Sequence, residues 1–326
     1  MVEPAMVMTA RGHTGAPAGE ARPRATWRHR AEYAALATGL VVARIFPVSW
    51  VTGLAAALVG MAGPRLRQNR RALANLEIAF PEKTPAELSA IAQAMWRNMG
   101  RVFGEMLVLD RIMADPNTVT LADHDRWQTR MGEPGAAIAC TLHAGSWELA
   151  AVPLVSLGRR TVGVYRPLGN PLVDDWLTRT RGALYPGGLL GKGDTNDDVR
   201  AGQRTARRLI DLARKGGTLC FVMDHYDRRG TPIAFLGREA KFTTAPAMIA
   251  RHVSAMVWVG CCHRIGTSSR FRMEIIELDV PHSADKAADA MALTTAIFAQ
   301  FEAWIRAHPE QWMWWNTRWV QRDRPE

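Results

Sequence analysis

The chain reads Cys140-Thr-Leu-His143-Ala-Gly-Ser-Trp-Glu148 at the point where a buried strand is expected to give way to a helix. The apolar run over 136–142 is bounded by a Pro-Gly pair and an Ala-Gly pair, which predicts a short buried β-strand. Ser146 suits an N-cap, so the helix would begin at the next residue and its dipole would favour a carboxylate at Glu148. A strand followed by a loop and a helix is the repeating unit of an α/β fold.

His143 and Glu148 are candidate catalytic residues. We expect the turn between them to bring the imidazole within hydrogen-bonding reach of the carboxylate, and a base oriented by an acid is what deprotonation of an alcohol requires. An imidazole ordinarily has a pKa of about 6.5, so a neutral ring can accept a proton close to neutral pH. Glu148 would hold the ring tautomer and stabilise the imidazolium that forms. The alternative is a chance spacing around a structural histidine.

The composition indicates a globular protein with a basic surface. The 326 residues are 48% apolar and 22% charged, which allows a large core in one or two domains. The formal net charge of +10 suits nucleic acid, an anionic membrane or an acidic protein. No nucleic-acid motif accompanies this charge, so a membrane surface is favoured and nucleic acid is not expected. The four cysteines, which show no C-x-x-C spacing, predict buried reduced thiols: Cys140, Cys220, Cys261 and Cys262.

Strand-like and helix-like segments alternate from residue 130 onward, which favours an α/β sheet flanked by helices. The predicted strands are 136–142, 161–165, 218–223, 256–262 and 271–278. The predicted helices are 147–157, 171–181, 197–215, 245–253 and 285–307, preceded by a helical segment over 64–110 in which Pro85 starts a second helix. Because sites form at the carboxyl ends of such strands, we expect His143, Arg166 and Asp224 to converge on one crevice.

The first 64 residues divide into a tail and an anchor. Residues 1–31 are rich in Ala, Gly, Pro and Arg and predict a disordered tail. Residues 32–64 are strongly apolar, and 45–63 form a run of 19 uncharged residues, close to the ~20 that span a bilayer. A single span, an interfacial helical hairpin bent near Pro47 and a buried pair of soluble helices remain open. Arginines flank both sides, so the positive-inside rule gives no polarity: Arg22, Arg24, Arg28 and Arg30 before the run, and Arg65, Arg67, Arg70 and Arg71 after it.

Several segments resemble those of the bacterial lipid A late acyltransferases, the lauroyl and myristoyl transferases of the lysophospholipid acyltransferase superfamily. His143 and Glu148 match the His-x4-Asp/Glu (HxxxxE) motif. The other matching segments follow the family's order over residues 33–320: Asn75-Leu76 with Phe80-Pro81, Asn98-Met-Gly100-Arg101 with Glu105, Tyr165-Arg166-Pro167 with Asn170-Pro171, Met223-Asp224, Phe235-Leu-Gly237, and His308-Pro309-Glu310-Gln311-Trp312.

The resemblance implies a glycerolipid acyltransferase-like domain over 65–326, with a central mixed sheet flanked by helices, behind an N-terminal apolar helical membrane anchor. It implies an enzyme of lipid A and lipopolysaccharide biosynthesis at the cytoplasmic face of the inner membrane. Such an enzyme would move a fatty acyl chain from acyl-acyl carrier protein to a hydroxyl of a lipid A precursor, with His143 as base and Glu148 as its partner. No metal or cofactor is expected. The alternatives are another glycolipid or phospholipid acceptor, or an inactive lipid-binding relative.

Four residues are candidates for binding substrate. Arg166 precedes a proline in an extended geometry and would present its guanidinium to an acceptor phosphate, with a surface salt bridge as the alternative. Asp224 either binds substrate or braces its loop. Arg228 lies in a Gly- and Pro-punctuated segment that could reach anionic headgroups, with a solvated loop as the alternative. Lys192 lies in a Gly-rich stretch that lacks the P-loop pattern.

Two further features suggest partners. The basic amphipathic helix over 197–215 could dock the acidic acyl carrier protein, or simply be solvated; its arginines are Arg200, Arg204, Arg207, Arg208 and Arg214. The C-terminal tryptophans suit either a membrane boundary or a cap on the core: Trp304, Trp312, Trp314, Trp315 and Trp319. The chain departs from the family over 315–319 and in the Ala-Gly-Ser that follows His143, which leaves the acceptor open.

Overall fold

The structure is a computed structural model that describes residues 25–191, 199–316 and 319, with residues 199–202 as backbone only. The described residues form eleven α-helices: α1 (Trp27–Ile45), α2 (Val48–Ala62), α3 (Arg67–Ala79), α4 (Pro85–Leu107), α5 (Leu109–Met113), α6 (His124–Gly132), α7 (Val152–Ser156), α8 (Pro171–Thr180), α9 (Val199–Arg214), α10 (Ala245–Val253) and α11 (Lys286–Ala307). They form nine strands: β1 (Val119–Leu121), β2 (Ala137–Thr141), β3 (Thr161–Tyr165), β4 (Leu189–Gly191), β5 (Thr218–Val222), β6 (Thr231–Phe235), β7 (Arg238–Phe242), β8 (Met256–Arg264) and β9 (Phe271–Leu278).

Seven strands form one sheet in the order β1-β9-β8-β2-β5-β3-β4, and β6 and β7 form a separate antiparallel hairpin. Within the seven-stranded sheet only β8 and β9 run antiparallel, so the predicted mixed sheet flanked by helices is confirmed. The five predicted strands are all present. The short strands β1 and β4 and the hairpin were not predicted, because runs of three to five residues give little periodicity to read.

The predicted helix over 147–157 is wrong in one respect. Residues Trp147–Ala151 form a tighter 3₁₀ helix, and the α-helix proper is only the short α7 that follows. Pro153 in the first turn of α7 lacks the N–H that would bond back into a preceding helical turn. Ser146 precedes the 3₁₀ helix as expected, but its side chain makes no capping hydrogen bond.

The N-terminal apolar run is divided between two helices. α1 begins at Trp27, inside the segment predicted as a tail, while residues 1–24 of that predicted tail lie outside the described residues. α1 ends at Ile45, and Pro47 then caps the 15 residues of α2. Across the described ranges, no helix combines the length and the apolarity needed to cross a bilayer.

α2 packs directly against α4 through small side chains. A Cβ placed on Gly100 would lie 2.3 Å from the Ala55 carbonyl oxygen, and one on Gly104 would lie 3.0 Å from the Thr52 Cα. Only residues without a side chain allow the two backbones to approach this closely. This contact fixes the apolar N-terminal segment to the helix that carries the Asn98-Met-Gly100-Arg101 motif.

The C-terminal tryptophans of the described residues belong to the core. Trp312 and Trp314 are fully buried, and Trp304 is only 7% exposed. Trp315 stacks on Trp96 of α4 with ring centroids 4.4 Å apart. Of the two alternatives for this aromatic segment, the structure therefore favours the cap on the core.

Candidate active site

His143 and Asp224 lie together because they follow two neighbouring parallel strands. β2 and β5 pair in a register that sets Thr141 opposite Val222, so the residues two positions further on meet at the carboxyl edge of the sheet. The Nδ1 atom of His143 is 2.7 Å from Oδ1 of Asp224, and the backbone N–H of His143 donates to Oδ2 at 3.0 Å. The prediction that these two loops converge is confirmed.

The carboxylate of Asp224 is fully buried and held by hydrogen-bond donors. The indole N–H of Trp312 donates to Oδ2 at 2.7 Å, beside the two contacts from His143. Burial, the largest influence, would raise the pKa of Asp224, but the charge of His143 and these hydrogen bonds together lower it below the ordinary value of 3.8. Asp224 is therefore ionised, and its contacts favour bracing of the histidine over contact with a substrate.

An ionised carboxylate on Nδ1 of His143 holds the ring proton on that nitrogen. Nε2 is then the acceptor, and it makes no hydrogen bond to any residue that the structure describes. The side chain of His143 is 20% exposed, so a hydroxyl can reach the ring from solvent. This arrangement has the two components of a general base: a free acceptor nitrogen, Nε2, and the buried carboxylate of Asp224 on the other ring nitrogen.

Glu148 does not make the predicted hydrogen bond to His143. Its carboxylate bonds to Nε of Arg181 at 2.7 Å, to Nη2 of the same guanidinium, and to the indole N–H of Trp147 at 3.1 Å. A guanidinium offers a two-pronged, permanently charged donor, which binds a carboxylate more strongly than one imidazole N–H does. The prediction that Glu148 sets the tautomer of His143 is therefore wrong, and Asp224 takes that position.

Trp147 links Glu148 to His143. Its ring meets the ring of His143 edge-on with centroids 5.2 Å apart, while its N–H bonds to Glu148. Although burial, the largest influence, lowers the pKa of Arg181, the carboxylate of Glu148 outweighs it and raises the pKa. The pair is thus a buried ion pair beside the histidine. Nothing in the sequence marked Arg181 as the partner.

Arg166 reaches the same end of the sheet from a third strand. It follows β3, which neighbours β5, and its side chain is exposed. The ring of His225 lies 6.3 Å from that of His143, measured between centroids. The pKa of His225 is lowered, first by loss of solvent and then by the charges of His143 and Arg166. Arg166 thus follows the strand next to β5, and its contact with a substrate stays a prediction.

The remaining candidate residues are less informative. Arg228 is exposed in the segment between β5 and β6, and no contact joins it to His143 in the described structure. Lys192 lies outside the described residues.

Across the described part of the chain, no cluster of three His, Cys, Asp or Glu side chains is placed to hold a metal ion. Cys140, Cys261 and Cys262 are buried free thiols, and Cys220 is half-buried.

A buried polar network supports the loop after His143. Gly145, at φ +58°, donates its N–H to the Gln311 carbonyl at 3.0 Å, and a Cβ there would lie 1.9 Å from the Cys262 carbonyl oxygen. The Gln311 side chain bonds to both backbone groups of Arg264, which in turn pairs with Glu105. Glu105 and Gln311 belong to two of the segments that resemble the acyltransferase family. These segments thus meet around the loop after His143, although sequence alone gave them no structural role.

A narrow apolar cavity of about 50 Å³ lies beside the 3₁₀ helix that follows His143. It separates this helix from the sheet, and its walls include Trp147, Leu154, Tyr185, Phe221 and Trp258. Most of these walls are apolar, which suits a hydrocarbon chain, although Thr141 and Tyr185 also line the cavity.

The fold, the motif order and this site identify the class of protein. The chain belongs to the bacterial lipid A biosynthesis acyltransferase family, whose family model matches residues 24–321. The chain is therefore an acyltransferase. It is similar to the lipid A biosynthesis lauroyltransferase of Escherichia coli (strain K12), with 24% identity over 296 residues that cover 88% of this chain and 89% of that one.

Proposed function

We propose that this protein transfers a fatty acyl group from acyl-acyl carrier protein to a hydroxyl of a lipid A precursor. The observation that carries the proposal is the 2.7 Å contact between Nδ1 of His143 and the buried carboxylate of Asp224, in a chain of this family. Nε2 of His143 removes the hydroxyl proton as the oxygen attacks the thioester carbonyl. Asp224 stabilises the imidazolium that forms.

The remainder of the reaction follows from the same groups. A new C–O bond forms and the C–S bond breaks, and the proton held by His143 passes to the departing thiolate, so the base is regenerated. The leaving thiol is that of the carrier protein. The acyl chain begins at His143 and extends past Trp147 towards the apolar cavity, which must widen to hold it.

Glu148 acts in this proposal as a positioning residue. Through its hydrogen bond to Trp147 it fixes the aromatic ring that meets His143, and Arg181 fixes Glu148 in turn. Arg166 would bind a phosphate of the acceptor, because a planar guanidinium matches phosphate oxygens. Arg228 and Lys192 remain candidates for contacts to the same anionic headgroup.

The donor and the membrane are proposed from charge and exposure. Arg207, Arg208 and Arg214 are exposed on α9, which suits an acidic carrier protein. Apolar side chains on α2 face solvent, with Trp50 66% exposed and Leu54 62% exposed. A membrane interface would cover such a face, so we place the enzyme on the cytoplasmic side of the inner membrane, anchored in the interface by α1 and α2.

The test is mass spectrometry of lipid A from cells with and without this protein, complemented by the wild type and by His143→Ala. The expected result is one acyl chain fewer in the deletion strain and in the variant. An unchanged lipid A with an altered glycolipid or phospholipid would replace the acceptor, and no lipid change at all would favour an inactive lipid-binding relative.

A further inference from the structure

An open groove of about 770 Å³ lies between α2 and α4, beside the contact through Gly100. Its α4 wall carries Gln93, Arg97 and Arg101 at intervals of four residues, which places them on one face of the helix. Its α2 wall is built from small residues, and Arg65 closes one end. The groove is therefore cationic on one side and nearly smooth on the other.

The arginines on the α4 wall of the groove are Arg97 and Arg101. Within the described ranges, neither Arg97 nor Arg101 makes a hydrogen bond or an ion pair, whereas Arg264 and Arg181 each pair with a buried glutamate. Burial and then the charge of Arg264 lower the pKa of Arg101, Glu105 raises it, and Arg97 lowers it. Glu105 is paired with Arg264, and guanidinium groups remain protonated under such conditions, so the groove holds net positive charge.

The surface beside the groove is apolar. Leu54, Leu58 and Met61 of α2 are 62%, 54% and 58% exposed, and their spacing sets them on one stripe of the helix. Met61 also lines the groove. An apolar stripe bordering a cationic groove matches an amphiphile with an anionic head, in which acyl chains follow the stripe and the phosphate enters the groove.

We infer that the groove between α2 and α4 binds the phosphate headgroup of an anionic phospholipid of the membrane. Its volume falls in the range of small-molecule sites, about 300–1,000 Å³, which is enough for a glycerophosphate head. Arg97 and Arg101 would supply charge-assisted hydrogen bonds to the phosphate oxygens, and Gln93 an additional amide donor. The inference rests on the proposed membrane association and not on the proposed chemistry.

The test uses the purified full-length protein and vesicles of phosphatidylcholine with and without phosphatidylglycerol, with binding measured by flotation. The wild type is expected to prefer the anionic vesicles. Arg97→Gln with Arg101→Gln is expected to weaken that preference about 25-fold, at roughly fivefold for each basic side chain near an anionic surface. Glutamine keeps the Cγ methylene of Arg97, which is its atom nearest to the Cβ position of Gly60.

Two further variants separate the groove from general surface charge. A Cβ on Gly53 meets nothing within 4 Å, so Gly53→Leu puts a bulky apolar side chain into the groove without a change of charge. It is expected to weaken the anionic preference while binding to neutral vesicles persists. Arg207→Gln with Arg208→Gln removes the same charge from exposed positions of α9 and is expected to keep most of the preference.

Three outcomes of the vesicle assay would overturn the inference. These are a wild type without anionic preference, a Gly53→Leu variant that retains it, or an α9 control that loses as much as the groove variant. A groove variant that instead raises the KM for the acceptor, with its vesicle preference intact, would assign the groove to the acceptor and also reject the inference. His143→Ala is expected to keep the vesicle preference, so a failure of the proposed chemistry would leave this result untouched.

Discussion

The carboxylate of Asp224 is hydrogen-bonded to the ring of His143, with Oδ1 2.7 Å from Nδ1. The two residues follow the ends of adjacent strands. Asp224→Asn retains the shape of this contact but lets the amide donate to Nδ1, which moves the ring proton to Nε2. The same change in a serine protease triad costs about 10⁴-fold in kcat, and we expect a loss of about that size here. Steady-state kinetics of the purified variant measures it.

Asp227→Asn is the matched control for this variant. Asp227 lies three residues further along, and its carboxylate accepts the backbone N–H of Arg229 at 3.0 Å in the loop. Most activity should remain in this variant. An Asp224→Asn enzyme within tenfold of the wild type would remove Asp224 from the proton-transfer arrangement.

Trp312→Phe should destabilise the fold at neutral pH through its contact with Asp224. The indole hydrogen bond is one of the contacts that lower the pKa of Asp224, so its loss moves that pKa upward. A depressed carboxyl pKa stabilises the fold above the ordinary value of 3.8, and this stabilisation disappears as pH falls through the folded-state pKa. We therefore expect the variant to be less stable at neutral pH by about 1.5–3 kcal/mol, the usual worth of a hydrogen bond to a charged group.

Urea denaturation at neutral pH and at a pH below the folded-state pKa checks this expectation. The stability difference between Trp312→Phe and the wild type should shrink on acidification. A difference that stays constant with pH would assign the effect to packing of the ring alone.

The ion pair of Glu148 and Arg181 offers a way to separate stability from positioning. Glu148→Gln leaves a buried guanidinium without its counter-charge and should cost about 3–5 kcal/mol of unfolding free energy. Glu148→Leu with Arg181→Met replaces both charges and should restore stability to the wild-type level or above. If the pair fixes Trp147 against His143, the stable double variant should still lose about 10²-fold in kcat with little change in KM.

Thermal denaturation and steady-state kinetics of both variants provide the two readings. A double variant that is both stable and fully active would show that Glu148 serves the fold only. Rescue of activity by Glu148→Asp would support its positioning of the indole.

Gly145→Ala should disrupt the loop that carries the histidine. A Cβ at this position would lie 1.9 Å from the Cys262 carbonyl oxygen, and φ is +58°. Gly158→Ala is the matched control, because φ there is +82° but a Cβ meets nothing within 4 Å. We expect Gly158→Ala to cost only the backbone strain of about 1–2 kcal/mol and to remain active, while Gly145→Ala loses activity. Similar behaviour of the two variants would contradict a requirement for this loop geometry.

The sheet could be predicted from sequence because its buried strands are short apolar runs with clear punctuation. The runs over 161–165 and 271–278 match β3 and β9 residue for residue. The convergence of His143 and Asp224 followed from a rule about strand ends that needs no distances. Gly100 was recognised within a motif, but its reason, the approach of the α2 backbone, requires the packed structure.

The partner of His143 could not be predicted from spacing along the chain. Glu148 is near in sequence, but the 3₁₀ helix and the guanidinium of Arg181 direct its carboxylate elsewhere. Asp224 is 81 residues away and becomes adjacent only through the β2–β5 register. Separation along the chain does not predict contacts where two paired strands bring remote loops together. The β2–β5 register therefore decides that Asp224, and not Glu148, contacts His143.

The most direct measurement of the central claim is acyl transfer by purified wild type and His143→Gln, with acyl-acyl carrier protein as donor and a lipid A precursor as acceptor. The product is followed by mass spectrometry, and folding of both proteins is verified by thermal denaturation. The expected result is an acylated precursor with the wild type and a loss of about 10³-fold or more with the variant, since glutamine keeps a similar volume but cannot act as a base. Equal turnover by the two proteins would contradict the account.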